Sequence, residues 1–116
     1  MSSKKTLKLM NMSSEIDEVY EVYSQLTNMS YSELLTWSKN PCSRKASIGR
    51  AAINRNLKLK SKPKTKWNSY DVKEAKKAIS FLRRHTGQKE GKAVSKDCPY
   101  SKRFIALKNW AFDPSK

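Results

Sequence analysis

The segment VKEAKKAISFL, residues 72–82, places the tightest constraint on the fold. Val72, Ala75, Ala78, Ile79 and Leu82 recur at the three- and four-residue steps of an α-helix. A pleated strand cannot turn these five side chains to one side, so this part of the chain must be an amphipathic helix packed on other helices. Asn68 or Ser69 supplies its N-cap, Asp71 falls in its first turn, and Gly87 follows Arg83, Arg84 and His85 as a C-terminal stop.

Similar punctuation divides the remainder. Ile16, Val19, Tyr20, Tyr23 and Leu26 predict a helix over 14–27, opened by Ser14 and Asp17. Ser30 and Glu33 form an S-x-x-E box before Leu34, Leu35 and Trp37, and Asn40-Pro41 ends that short helix. Ser43 is the expected cap of a third helix, with Ala46, Ala52, Ile53 and Leu57 on one stripe and Gly49 as its weak middle. Ser101 opens a last helix bearing Phe104, Ile105, Leu107, Trp110 and Ala111, closed by Asp113-Pro114. Residues 87–98 read as a surface loop. The alternation of Leu57–Ser61 is also strand-like, but one short run has no partner. The expected architecture is all-α: a single small domain of five helices over 14–116, a basic loop in its middle, and a flexible arm over 1–13.

Charge narrows the function. The chain of 116 residues carries a net charge of +15, with a net of −1 over residues 1–41 and +16 over 42–116. Such self-repulsion opposes compaction and fits a polyanionic partner: DNA first, RNA second, with an acidic protein surface, such as a patch on a polymerase or virion protein, as the alternative. No apolar run approaches the ~18 residues of a membrane span, and Met1–Met10 lacks the apolar core of a signal peptide. The reading is a cytosolic protein without a membrane partner. Cys42 and Cys98 then read as free thiols, and with His85 the only histidine and no C-x-x-C spacing, no metal or other cofactor is expected.

The candidate contacts are cationic. PCSRK at 41–45 and CPYSKR at 98–103 each place Cys, Ser and two basic residues where a helix is expected to begin. Ser43, Arg44, Lys45 and Ser101, Lys102, Arg103 are therefore read as phosphate-binding helix N-termini. Arg50, Asn54 and Lys58 recur at i, i+4 and i+8 with no acid on their segment. Lysine then occupies every second position at Lys58, Lys60, Lys62, Lys64 and Lys66, before Trp67, a candidate base contact. Lys73, Lys76 and Lys77 extend the basic face, and Asn54, Arg55 and Asn56 are the side chains that would reach base edges. The bland readings are ordinary caps, a solvated linker and, for the aromatics, a core.

Catalytic signatures are missing. Three scattered glycines make no phosphate loop, and Asp71 with Glu74 is the only close carboxylate pair in the basic region. The expectation is a non-enzymatic binding protein.

NMSYSELLTW, then GR, then WNSYDVKEAKKAISFLRRHTGQ, then SKRFIALKNWAFDPSK resembles a family of small proteins. Its members show NM-x-x-x-EL-x-x-W, a central Y-x-x-x-D followed by V-x-R-H, and a terminal S-L-x-NWGHDP. The resemblance runs from about Glu15 to Lys116, and lysine-rich versions resemble small proteins of tailed cyanobacterial phages. It implies a helical fold and DNA binding, since some members carry a DNA-binding label, and no mechanism. Here Ala111 and Phe112 stand where the family has Gly and His. That removes any role for a terminal histidine and leaves Asn109, Trp110 and Asp113 as an expected C-terminal lock.

Overall fold

The computed structural model describes residues 2–45, 49–85 and 92–116, the side chains of 2–13 and of Gly49 excepted. Five α-helices follow one another: α1 Ser2–Leu26, α2 Tyr31–Ser38, α3 Gly49–Ser61, α4 Ser69–His85 and α5 Lys102–Asn109. Short 3-10 turns cover Pro41–Lys45 and Lys64–Lys66. The described residues form no strand, only an isolated bridge between Ala93 and Ser101, so the all-α expectation holds. No helix among them is long and apolar enough to cross a membrane.

Local chemistry explains the boundaries. The Ser30 hydroxyl accepts from Glu33 N at 3.1 Å while Glu33 Oε1 accepts from Ser30 N at 3.0 Å, a complete capping box for α2. Asn68 and Asp71 make the same reciprocal pair for α4, each bond 3.0 Å. α1 starts at Ser2, well before the signal at Ser14, so residues read as an arm have helical backbone. The third helix departs further. Pro41–Lys45 is a separate turn and α3 begins at Gly49, which therefore opens the helix instead of weakening its middle. The expected stop at Gly87 and the stripe position Ala46 lie outside the described residues.

Two apolar clusters share α3. Tyr23, Trp67, Val72, Ala75, Ala78, Ile79, Leu82, Leu107 and Trp110 surround Ala52 and Leu59 in one. Met29, Leu34, Trp37, Ile105 and Ala111 surround Ile53 in the other. The buried side of α3 is thus Ala52, Ile53, Asn56 and Leu59, with Leu57 only half-buried, a rotation away from the Ile53–Leu57 stripe. Its opposite side carries Arg50, Asn54 and Lys58, all exposed.

The second cluster corrects the reading of the cysteines. The Pro41–Lys45 turn packs on the segment before α5, bringing the Cα atoms of Cys42 and Cys98 to 5.6 Å, and the two are joined as a disulfide. That spacing lies within the disulfide range. A separation of 56 residues leaves no local trace of the pairing.

The C-terminal lock forms as expected. Trp37 Nε1 donates to Asn109 Oδ1 at 2.7 Å, Asn109 Nδ2 donates to Ser43 O at 3.0 Å, and both residues are buried. Asn28 exchanges two hydrogen bonds with the Asp113 backbone, at 2.9 and 2.6 Å.

Candidate nucleic-acid interface

The Pro41–Lys45 turn is held from beneath. Cys42 N donates to Asn40 Oδ1 at 2.9 Å, Ser43 N donates to Asn40 O at 3.0 Å, and the Ser43 carbonyl takes the Asn109 amide. With its inner side so engaged, the turn presents Arg44 and Lys45 to solvent. Across from it the first turn of α3 presents Arg50. Between them lies a cleft of about 330 Å³ lined by Ser38, Ser43, Arg44, Arg50, Ile53 and Asn54, with no carboxylate among the described residues of its wall. α3 has no acid in its first turn. Cations at a helix N-terminus oppose the helix dipole, so this arrangement is unfavourable for α3 unless an anion joins it.

From the cleft the exposed face of α3 continues through Asn54 to Lys58, about 12 Å further along the helix axis at 1.5 Å per residue. Lys58 Nζ lies 5.4 Å from the centroid of the Tyr70 ring, and Lys73 follows one turn later on α4, exposed. Arg44, Lys45, Arg50, Lys58 and Lys73 pair with no acid among the described residues.

The alternating lysines do not act together. Lys58 and Lys60 belong to α3, where a two-residue step turns 200° and sends them to different faces. Lys60 runs inward: its Nζ donates to Thr27 Oγ1 at 2.6 Å and lies 5.1 Å from the Tyr23 ring, and burial lowers its pKa to about 8. Lys62 pairs with the buried Asp71 at 3.0 Å, and Lys64 with Asp17 at 3.1 Å. Lys66 remains exposed. Trp67 is core, its indole 3.4 Å from the Leu59 carbonyl and packed edge-on by Tyr20 and Tyr23, so its reading as a base contact is corrected.

Other expected contacts are also taken up internally. Arg55 pairs with Glu74, which Lys77 joins at 3.3 Å, and Lys76 pairs with Glu15. Asn56 is fully buried and cannot meet a base. Ser43 is buried at 1% exposure and caps no helix. Ser101 does cap α5, accepting from Phe104 N at 3.0 Å, but is itself buried. Beside it Arg103 Nε donates to His85 O at 3.2 Å, while Lys102 is exposed. The sequence reading missed Tyr70, whose signal is a bulky aromatic in the first turn of α4, off its apolar stripe.

A second cleft, of about 430 Å³, lies between α2 and the C-terminal segment, with Trp37 and Tyr100 in its wall. Glu33 and Asp113 line it as well, which makes it a poor match for phosphate. Among the described residues no three His, Cys, Asp or Glu side chains gather in a metal-binding arrangement.

Neither models of protein families, nor curated proteins, nor solved structures give a match to this chain. Function therefore rests on the residues themselves.

Proposed function

We propose that this chain is a non-enzymatic DNA-binding protein that grips the phosphate backbone along the exposed face of α3. The observation that carries the reading is the cleft in which Arg44 and Arg50 converge with Ser and Asn side chains and, among the described residues, no carboxylate. Guanidinium groups present forked donors that match phosphate oxygens, and the exposed Asn54 amide adds a neutral donor. Six acids among the described residues are engaged by Lys62, Lys64, Lys76, Lys77, Lys108, Lys116 and Arg55. What is left is a surface with strong positive excess on one side of α3. Contacts of this kind fix a polymer in register without reading its sequence.

The experiment compares two charge-matched variants. Replacing Arg44 and Arg50 together by Ala is expected to weaken DNA binding at least tenfold. Replacing Lys64 and Lys77, whose charges are met by Asp17 and Glu74, is expected to change it less than threefold. Equal losses would reduce the effect to net charge and overturn the reading. An absence of binding by the native chain at physiological salt, with stoichiometric capture of one acidic protein, would favour a protein-docking module instead.

A further inference from the structure

Among the described residues Tyr70 is the most exposed large apolar side chain, at 57%, and nothing in the core requires it. Tyr is a weaker helix former than Lys or Glu at an exposed position, so helix stability does not explain it either. Its backbone is nonetheless held firmly. Asn68 and Asp71 close the capping box around it, and Asp71, 1% exposed, is clamped by Lys62 at 3.0 and 3.2 Å. The ring is thus an exposed aromatic group on a fixed helical turn, with the Lys58 ammonium over one face, 5.4 Å from its centroid, and Lys73 one turn beyond.

We infer that Tyr70 is a stacking platform for an unpaired base, and that the α3 surface takes single-stranded polynucleotide in preference to duplex. The inference rests on the phosphate-binding reading above and adds the form of the polymer. A cationic track ending in an accessible aromatic ring is the composition of single-strand grooves, where phosphates follow the cations and base faces lie on the rings. In a duplex each base face is covered by its neighbours, so an exposed ring gains nothing from it. Tyr31, the other exposed large aromatic among the described residues, is the less open of the two, at 42%.

The test measures binding of labelled DNA of about 16 nucleotides as a single strand, the same sequence as duplex, and the matching RNA strand, at one fixed salt concentration. The native chain is expected to prefer the single strands. Tyr70→Ala is expected to lose about tenfold on single strands and less than twofold on duplex, with an unchanged salt slope, while Tyr70→Phe stays within twofold of native. The two strand types tell whether the sugar matters, and stacking on either supports the inference. Equal affinity of Tyr70→Ala and native chain for single strands, or equal losses on strand and duplex, would overturn it while leaving the Arg44 and Arg50 result standing. Failure of the native chain to bind any of the three would overturn both. Circular dichroism of each variant checks that the helices are retained.

Discussion

The Tyr23 hydroxyl donates a 2.7 Å hydrogen bond to Asn56 Oδ1, joining α1 to α3 inside the core. Asn56 Nδ2 in turn donates to Ala52 O at 2.8 Å, so a fully buried amide has both ends engaged. Burial holds the phenol above its ordinary pKa, which keeps it a donor through the neutral and mildly alkaline range. Tyr23→Phe strands the Asn56 carbonyl and is expected to lower stability by about 1–3 kcal/mol. Adding Asn56→Leu removes the stranded group, so the double variant costs less than the sum of the singles. Urea unfolding of the four proteins checks this.

Ala111 has a φ of 64°, the left-handed region that an L-residue other than Gly enters at a cost of about 1–2 kcal/mol. The ending requires it: Phe112 N reaches back to Leu107 O at 2.9 Å and Ala111 N to Lys108 O at 3.0 Å, the pairings of a Schellman motif. Burial of the Ala methyl, about 0.8 kcal/mol, offsets part of the strain. Ala111→Gly is expected to stabilise by up to about 1 kcal/mol. Ala111→Val is expected to destabilise by about 2 kcal/mol, because a branched Cβ is least tolerated at positive φ. Thermal midpoints would show the opposite signs.

The Lys116 ammonium and the Ser30 backbone N–H hold Glu33 at a pKa of about 2, below its ordinary 4.5. Its folded state therefore gives up a proton that the unfolded chain retains, and the resulting stability is present above pH 4.5 and lost as pH falls toward 2. Glu33→Gln keeps an acceptor at the capping-box position and is expected to flatten the acid limb of stability against pH. A limb as steep in the variant as in the native chain would contradict the assignment.

Lys60 behaves in the opposite sense to a paired lysine. Burial lowers its pKa from 10.5 to about 8, so between these values the unfolded chain holds a proton that the folded chain has released, and stability rises with pH. Lys60→Met retains the stem on the Tyr23 ring, removes that rise, and leaves nucleic-acid affinity within twofold. Urea midpoints from pH 7 to about 9, below the 10.0 at which the unfolded chain's Tyr23 titrates, are the check.

Capping chemistry made much of the helical plan legible. The Ser30–Glu33 and Asn68–Asp71 pairs mark the starts of α2 and α4 because they are local, reciprocal and three residues apart. Arg50, Asn54 and Lys58 were legible for the same reason, as one helical period repeated. What escaped depends on contacts distant in sequence. Cys42 meets Cys98, Asn56 is drawn inside by Tyr23, and Lys62 and Lys64 meet acids on α4 and α1. An alternation of lysines says nothing of which acids approach it. Ser43 looked like a cap because Ser often is one, yet its turn ends before α3 begins.

The central claim, that the cations of the α3 face hold phosphates, is tested most directly by the salt dependence of binding to a labelled single strand between about 50 and 300 mM salt. If Arg44, Lys45, Arg50, Lys58 and Lys73 all engage, the log-log slope is expected to be about −3.5, and removing Arg44 and Arg50 should make it shallower by about 1.4. A slope near zero, or one the two arginines leave unchanged, would contradict the account.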